Sequence, residues 1–92
     1  MNSRDQIHIA ALLNDFLNSY SEILFALNHQ FYPIEKRILQ IMEVTCPLLP
    51  NLMKENIELL FVYAGRCDKQ LLNVLNVMIN QLSDLLTEQH LI

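Results

Sequence analysis

From Leu52 to Leu86 apolar residues recur at Met53, Ile57, Leu60, Ala64, Cys67, Leu71, Leu75, Met78, Leu82 and Leu85. The steps are of four and three residues, with one extra four near Leu71. Such spacing keeps a single face at about 3.6 residues per turn. A chain organised on that period folds into helices, and no comparable stretch alternates with the period of two that a strand requires.

The 92 residues point to one domain, 1–92. A short chain buries a modest fraction of its surface. Yet 52% of these residues are hydrophobic and 17% are charged, against about a quarter charged in ordinary globular domains. The apolar excess points to an oligomer or a permanent partner. The plainer alternative is a well-filled bundle.

Charge narrows the partners. The net charge is −4, and Lys and Arg number six together. Binding nucleic acid through phosphates needs a basic face, and Lys36-Arg37 is the single adjacent basic pair. An anionic membrane surface is disfavoured for the same reason. No apolar run reaches the length of a membrane span, and Met1-Asn2-Ser3-Arg4-Asp5 is too polar for a signal peptide. The expected location is therefore intracellular, cytoplasmic or nuclear. Cys46 and Cys67 make no disulfide framework and read as core fillers.

The N-terminal segment begins with a capping box, Ser3 followed by Gln6. Ile9, Leu13, Phe16, Tyr20, Ile23, Leu24, Leu27 and Phe31 then share one stripe. Pro33 stops it, so a first helix of about 4–31 is expected, on the order of 40 Å long. Beside that stripe Ile7, Ala11, Asn14, Asn18, Ser21 and Phe25 form a second seam without charge. A helix with water on half its circumference has a broad charged face; here the charge is confined to a narrow strip. The seam therefore reads as a second contact surface, against the plainer reading of isolated surface apolars.

Pro33 suits the first position of a second helix, about 33–45, ended by Pro47. The connector Pro47-Leu48-Leu49-Pro50 is stiff, and burial of its two leucines would lock the corner. Asn51 is the expected cap of a third helix, about 51–64. Its stretch Ile57–Ala64 is apolar nearly all round, as in a helix enclosed on every side. A fourth helix follows, about 67–90. Gly65 leaves two readings open: a left-handed end with Asp68 capping the fourth helix, or one continuous helix carried through on the stripe Ala64, Cys67, Leu71. The continuous form would be roughly 60 Å long, twice the width of about 30 Å expected of a globule this size. Past Asp68 the apolar arc is wide, with Leu71, Leu72, Leu75, Met78, Ile79, Leu82, Leu85 and Leu86. The other side reads Asn73, Asn76, Asn80, Gln81 and Ser83. The last turn should fray unless something holds Leu91 and Ile92.

No constellation carries chemistry. His8, His29, Cys46, Cys67 and His90 lie about twenty residues apart, without the paired ligands a metal needs, so no metal and no cofactor is expected. Cys67 on an apolar stripe is no activated thiol. One glycine cannot make a phosphate-cradling loop. No catalytic residue is assigned, and the chain is not expected to be an enzyme. An enzyme or phosphotransfer module, with His29 as its carrier, remains a remote alternative.

These readings converge on an all-α protein, a small elongated helical bundle of three or four helices, acting through helix-face packing. The expected function is protein–protein interaction, as an adaptor or complex subunit in a homo- or hetero-oligomer. The expected interface residues are Ile7, Ala11, Phe25, Asn73, Val77 and Asn80. The alternative is a small acidic chaperone for a secreted or assembling partner. The chain resembles that general class of small acidic helical proteins only in its fold, which does not imply function.

Overall fold

The computed structural model describes residues 3–33, 37–66 and 68–91, with side chains from Ile7 onward. Among them are four helices and no strand: α1 (Ser3–Leu27), α2 (Ile38–Thr45), α3 (Met53–Arg66) and α4 (Gln70–Glu88). The fold is all-α. The capping box of Ser3 and Gln6 lies outside the described side chains, and Cys67 lies outside the described residues. Internal contacts group the chain into two compact units, one of Met1–Leu13 with Pro50–Ile92 and the other Asn14–Leu49. Helix α1 passes from one to the other.

In the Asn14–Leu49 unit the buried side chains are Tyr20, Ser21, Leu24, Phe25, Leu27, Asn28, Met42 and Cys46. Helix α1 ends four residues before the expected stop at Phe31, because its last turn closes on itself. The Gln30 N–H donates to the Phe25 carbonyl at 2.9 Å and the His29 N–H to the Ala26 carbonyl at 3.1 Å. His29 lies in the left-handed region at φ 57°. This is the Schellman arrangement with histidine where glycine is usual. Phe31, beyond it, is exposed.

Asn28 at that corner does more than end a helix. Its Nδ2 donates to the Leu24 carbonyl at 2.7 Å and to the Leu48 carbonyl at 2.9 Å. Its Oδ1 accepts the Leu48 N–H at 2.8 Å. One buried carboxamide thus pairs with both polar groups of the Leu48 peptide unit, as a neighbouring strand would. The prolines on either side of Leu48-Leu49 carry no N–H, so few donors on the connector need partners. The expected lock by buried leucines is replaced by this backbone clamp. Leu48 is partly exposed and Leu49 half-buried.

Helix α2 does not begin at Pro33, which is not helical. It begins at Ile38, after Arg37, whose φ −101° and ψ 40° lie outside the helical basin. Its end matches expectation: Thr45 Oγ1 donates to the Ile41 carbonyl at 2.8 Å, and Cys46 follows in extended conformation.

In the other unit α3 and α4 pack together. Met53, Ile57, Leu60 and Ala64 of α3 are buried, with Leu13 of α1 and Met78 of α4. The stretch Ile57–Ala64 is not enclosed all round. Leu59, Phe61 and Val62 are exposed, because α4 packs on one side of α3 and these three lie on its flanks. Asn51 does not cap α3 with its side chain. The first helical bond runs from Asn56 N–H to the Leu52 carbonyl at 2.9 Å, and Leu52 is left-handed at φ 57°. Asn51 instead offers its carbonyl to Gln81 Nε2 at 3.1 Å, while Asn56 Nδ2 reaches Gln81 Oε1 at 3.4 Å. Gln81 therefore ties α4 to the start of α3.

The question left open at Gly65 is settled for a break, placed after the glycine. Gly65 is helical, without positive φ, inside the last turn of α3. The interruption comes at Asp68-Lys69. Asp68 Oδ1 accepts the Gln70 N–H at 2.9 Å, and the Asp68 N–H donates to the Tyr63 carbonyl at 2.9 Å. The far end of α4 closes as α1 does: His90 N–H to Thr87 carbonyl at 3.0 Å, Leu91 N–H to Leu86 carbonyl at 2.9 Å, and His90 at φ 61°. That closure holds Leu91 without any basic residue in the last turn.

Candidate functional site

The seam expected on α1 divides. Ile7 is 71% exposed, and Ala11, Asn14 and Asn18 are exposed with it. Ser21 is buried, and Phe25 is 1% exposed. Phe25 is therefore removed from the candidate surface. Its ring is covered within the chain: Tyr32, folded back beyond the helix end, stands edge-on to it at 5.8 Å and 90°. Aromatic pairs favour that geometry. A helix whose C-terminal turn carries a returning connector is covered on more than one stripe.

On α4 the expected face is at the surface. Asn73 and Asn80 are exposed, and Val77 lies between them, exposed as well. Asn73 Nδ2 is held by Gln70 Oε1 at 3.1 Å. This is a polar face with one valine in it.

The larger apolar surface lies elsewhere on α4, among residues expected in the core. The wide arc of this helix resolves into two seams. Leu71, Val74, Met78 and Leu85, with Gln81, follow one line; the hydrogen bonds of Gln81 show that this line faces α3. Met78 alone on α4 is buried. Leu72, Leu75, Ile79, Leu82 and Leu86 follow a second line, with steps of three and four. Leu72 is 64% and Ile79 49% exposed, while Leu75, Leu82 and Leu86 are half-buried. The signal was in the sequence: an arc holding leucines at both 71 and 72, and at both 85 and 86, is too wide for one neighbouring helix.

Two shallow hollows accompany these faces. Ala10, Leu13, Phe61, Ala64 and Gly65 line one of about 320 Å³, without a titratable group. Arg37, Gln40, Ile41, Val44 and Thr45 line another of about 390 Å³ on α2. Among the described residues no group of three or more His, Cys, Asp or Glu could hold a metal ion, and no helix is long and apolar enough to cross a membrane. No protein family, curated protein or solved structure matches the chain. What these surfaces offer is packing against another apolar face.

Proposed function

We propose that this chain is a protein–protein interaction module, an adaptor or complex subunit, that works by packing a helix face against a partner. The observation that carries the reading is the second seam of α4. Five leucine and isoleucine side chains follow the helical period there; Leu72 and Ile79 are exposed and Leu75, Leu82 and Leu86 half-buried, so none is fully covered. Scattered exposed apolars need no explanation, whereas incompletely covered ones at helical spacing along one face fit a contact site. Ile7, Ala11 and the face of Asn73, Val77 and Asn80 add secondary surface. The role is binding, without a catalytic group.

The test is site-specific photocrosslinking in cells that make the full chain. A benzophenone side chain at Leu72 or Ile79 should give a discrete adduct, and one at Lys54, exposed on α3, should give none. Equal, diffuse labelling at all three positions would overturn the reading.

A further inference from the structure

Resting on that reading, we propose that the partner on the second seam of α4 is a second copy of this chain, with the two α4 helices antiparallel. The first argument is the seam's own symmetry. Leu72 and Leu86 each lie seven residues from Ile79, and Leu75 and Leu82 lie four and three residues from it. Turned end for end about Ile79, Leu72 and Leu86 exchange places, and Leu75 and Leu82 fall one residue short of doing so. Leu72 then meets Leu86 of the second copy, Leu75 lies beside Leu82, and the two Ile79 side chains meet at the axis. A two-fold contact requires such a self-complementary patch.

The second argument is charge. From Gln70 to Ser83 the helix carries no charged residue. Lys69 stands at its N-terminal end, shortly after Arg66 closes α3, and Asp84 and Glu88 stand at its C-terminal end, all exposed. Asp68 also lies at the first end, with its carboxylate holding the Gln70 N–H at 2.9 Å. A parallel pair brings like charge to like at both ends. An antiparallel pair sets each basic end beside an acidic one and opposes the helix dipoles favourably. The acidic side chains are off the seam, so the contact buries none of them; the ends act through their field over about a Debye length of 10 Å. The seam is narrow, in the class of contacts under about 1,200 Å² that associate weakly. It belongs to a concentration-dependent dimer.

The experiment is analytical ultracentrifugation of the full chain from about 5 to about 500 µM. The mass should climb from 10.8 kDa towards twice that value. Leu72→Asp and Ile79→Asp should each weaken association more than tenfold while the helical circular dichroism is kept; Ile79→Ser serves if either aspartate variant loses helix. Val77→Asp, on the far side of α4, should leave the mass curve unchanged. Lys69→Glu should weaken association two- to fivefold, and Lys69→Glu with Glu88→Lys should restore it. A mass fixed at 10.8 kDa throughout overturns the second copy, even where a crosslinked adduct of another mass upholds the interaction reading. A dimer indifferent to the seam variants, or broken by Val77→Asp, overturns the seam. Failure of the double charge reversal to restore association overturns the antiparallel arrangement.

Discussion

The C-terminal turns of α1 and the outer side of α4 are both rich in large apolar residues, yet one is sealed and the other is open. Around α1, Tyr20, Leu24, Phe25 and Leu27 are buried, because chain returns to cover them. Asn28 clamps the Leu48 peptide unit, and Tyr32 folds back on Phe25. Along α4, α3 packs on the line through Met78, while on the outer line Leu72 and Ile79 stay exposed and Leu75, Leu82 and Leu86 are half-buried. Apolar density is the same kind of signal in both places. What differs is whether a later segment is anchored nearby by hydrogen bonds, as Asn28 anchors Leu48.

The sharpest way to break this comparison is to put the same charge in both regions. Phe25→Asp places an unpaired carboxylate among buried side chains, a cost of more than about 4 kcal/mol, and should unfold the Asn14–Leu49 unit. Ile79→Asp on an exposed line should shift stability by no more than about 0.5 kcal/mol. Urea titrations followed by circular dichroism measure both. Similar midpoints for the two variants would erase the distinction between sealed and open faces.

Next in size is the clamp. Asn28→Asp keeps the shape but replaces a donor to two carbonyls with a carboxylate oxygen. Repulsion from Leu24 and Leu48, added to the lost hydrogen bonds, should cost about 3 kcal/mol. Amide exchange at Leu48 should accelerate in step. If the Leu48 amide keeps its protection in this variant, the connector is held by something other than Asn28.

Sequence reasoning found the helices and missed the clamp for a physical reason. Periodicity reports which residues share a face; α3 and α4 fall within three residues of where it put them, while α2 ends as expected but begins five residues late. It does not report what comes back to cover a face. Phe25 stood on a charge-free seam and looked like a surface anchor; it is buried, with Tyr32 folded back edge-on to its ring. Leu72 and Ile79 stood in a wide arc and looked like core, yet both are exposed, since an arc that wide exceeds what one neighbouring helix covers. Val77, Asn73 and Asn80 are exposed, since amides flanking one valine give a helix little reason to turn inward. The break near Gly65 was legible as a choice but not in position, because Asp68 decides it through a local hydrogen bond to Gln70.

Tyr20 tests the sealed region from within. It is buried, and its hydroxyl has no hydrogen-bond partner among the described residues. Burial alone pushes its pKa up from 10.0 to about 12. Between those values the unfolded chain releases the phenolic proton while the folded chain keeps it. The native state then binds more protons, so stability falls as pH rises. The contribution is intact below pH 10 and declines by about 3 kcal/mol towards pH 12. Tyr20→Phe should remove that alkaline loss and add about 1 kcal/mol at neutral pH, by deleting an unsatisfied buried group. Equal alkaline profiles for the two proteins would mean that the hydroxyl has a partner or reaches solvent.

The smallest effects come from the two histidines that end α1 and α4. His29 and His90 hold φ of 57° and 61°, a left-handed conformation that costs an L-residue roughly 1–2 kcal/mol and glycine almost nothing. Glycine gives part of that back through the greater entropy of its unfolded chain, about 0.5–1 kcal/mol. The net gain from His→Gly should therefore be about 0.5–1 kcal/mol at either site. The two sites should nevertheless report it differently. His29, itself exposed, closes a turn whose neighbour Asn28 is hydrogen-bonded to the Leu48 peptide unit, so that turn opens only when its unit unfolds, and His29→Gly should raise the denaturation midpoint. His90 closes an exposed last turn, which can open while the rest of α4 stays folded. His90→Gly should slow amide exchange at Leu91 and leave the midpoint nearly where it was. A midpoint shift of equal size from both would mean that the end of α4 is as firmly covered as the end of α1, and that the contrast between them lies in side-chain exposure alone.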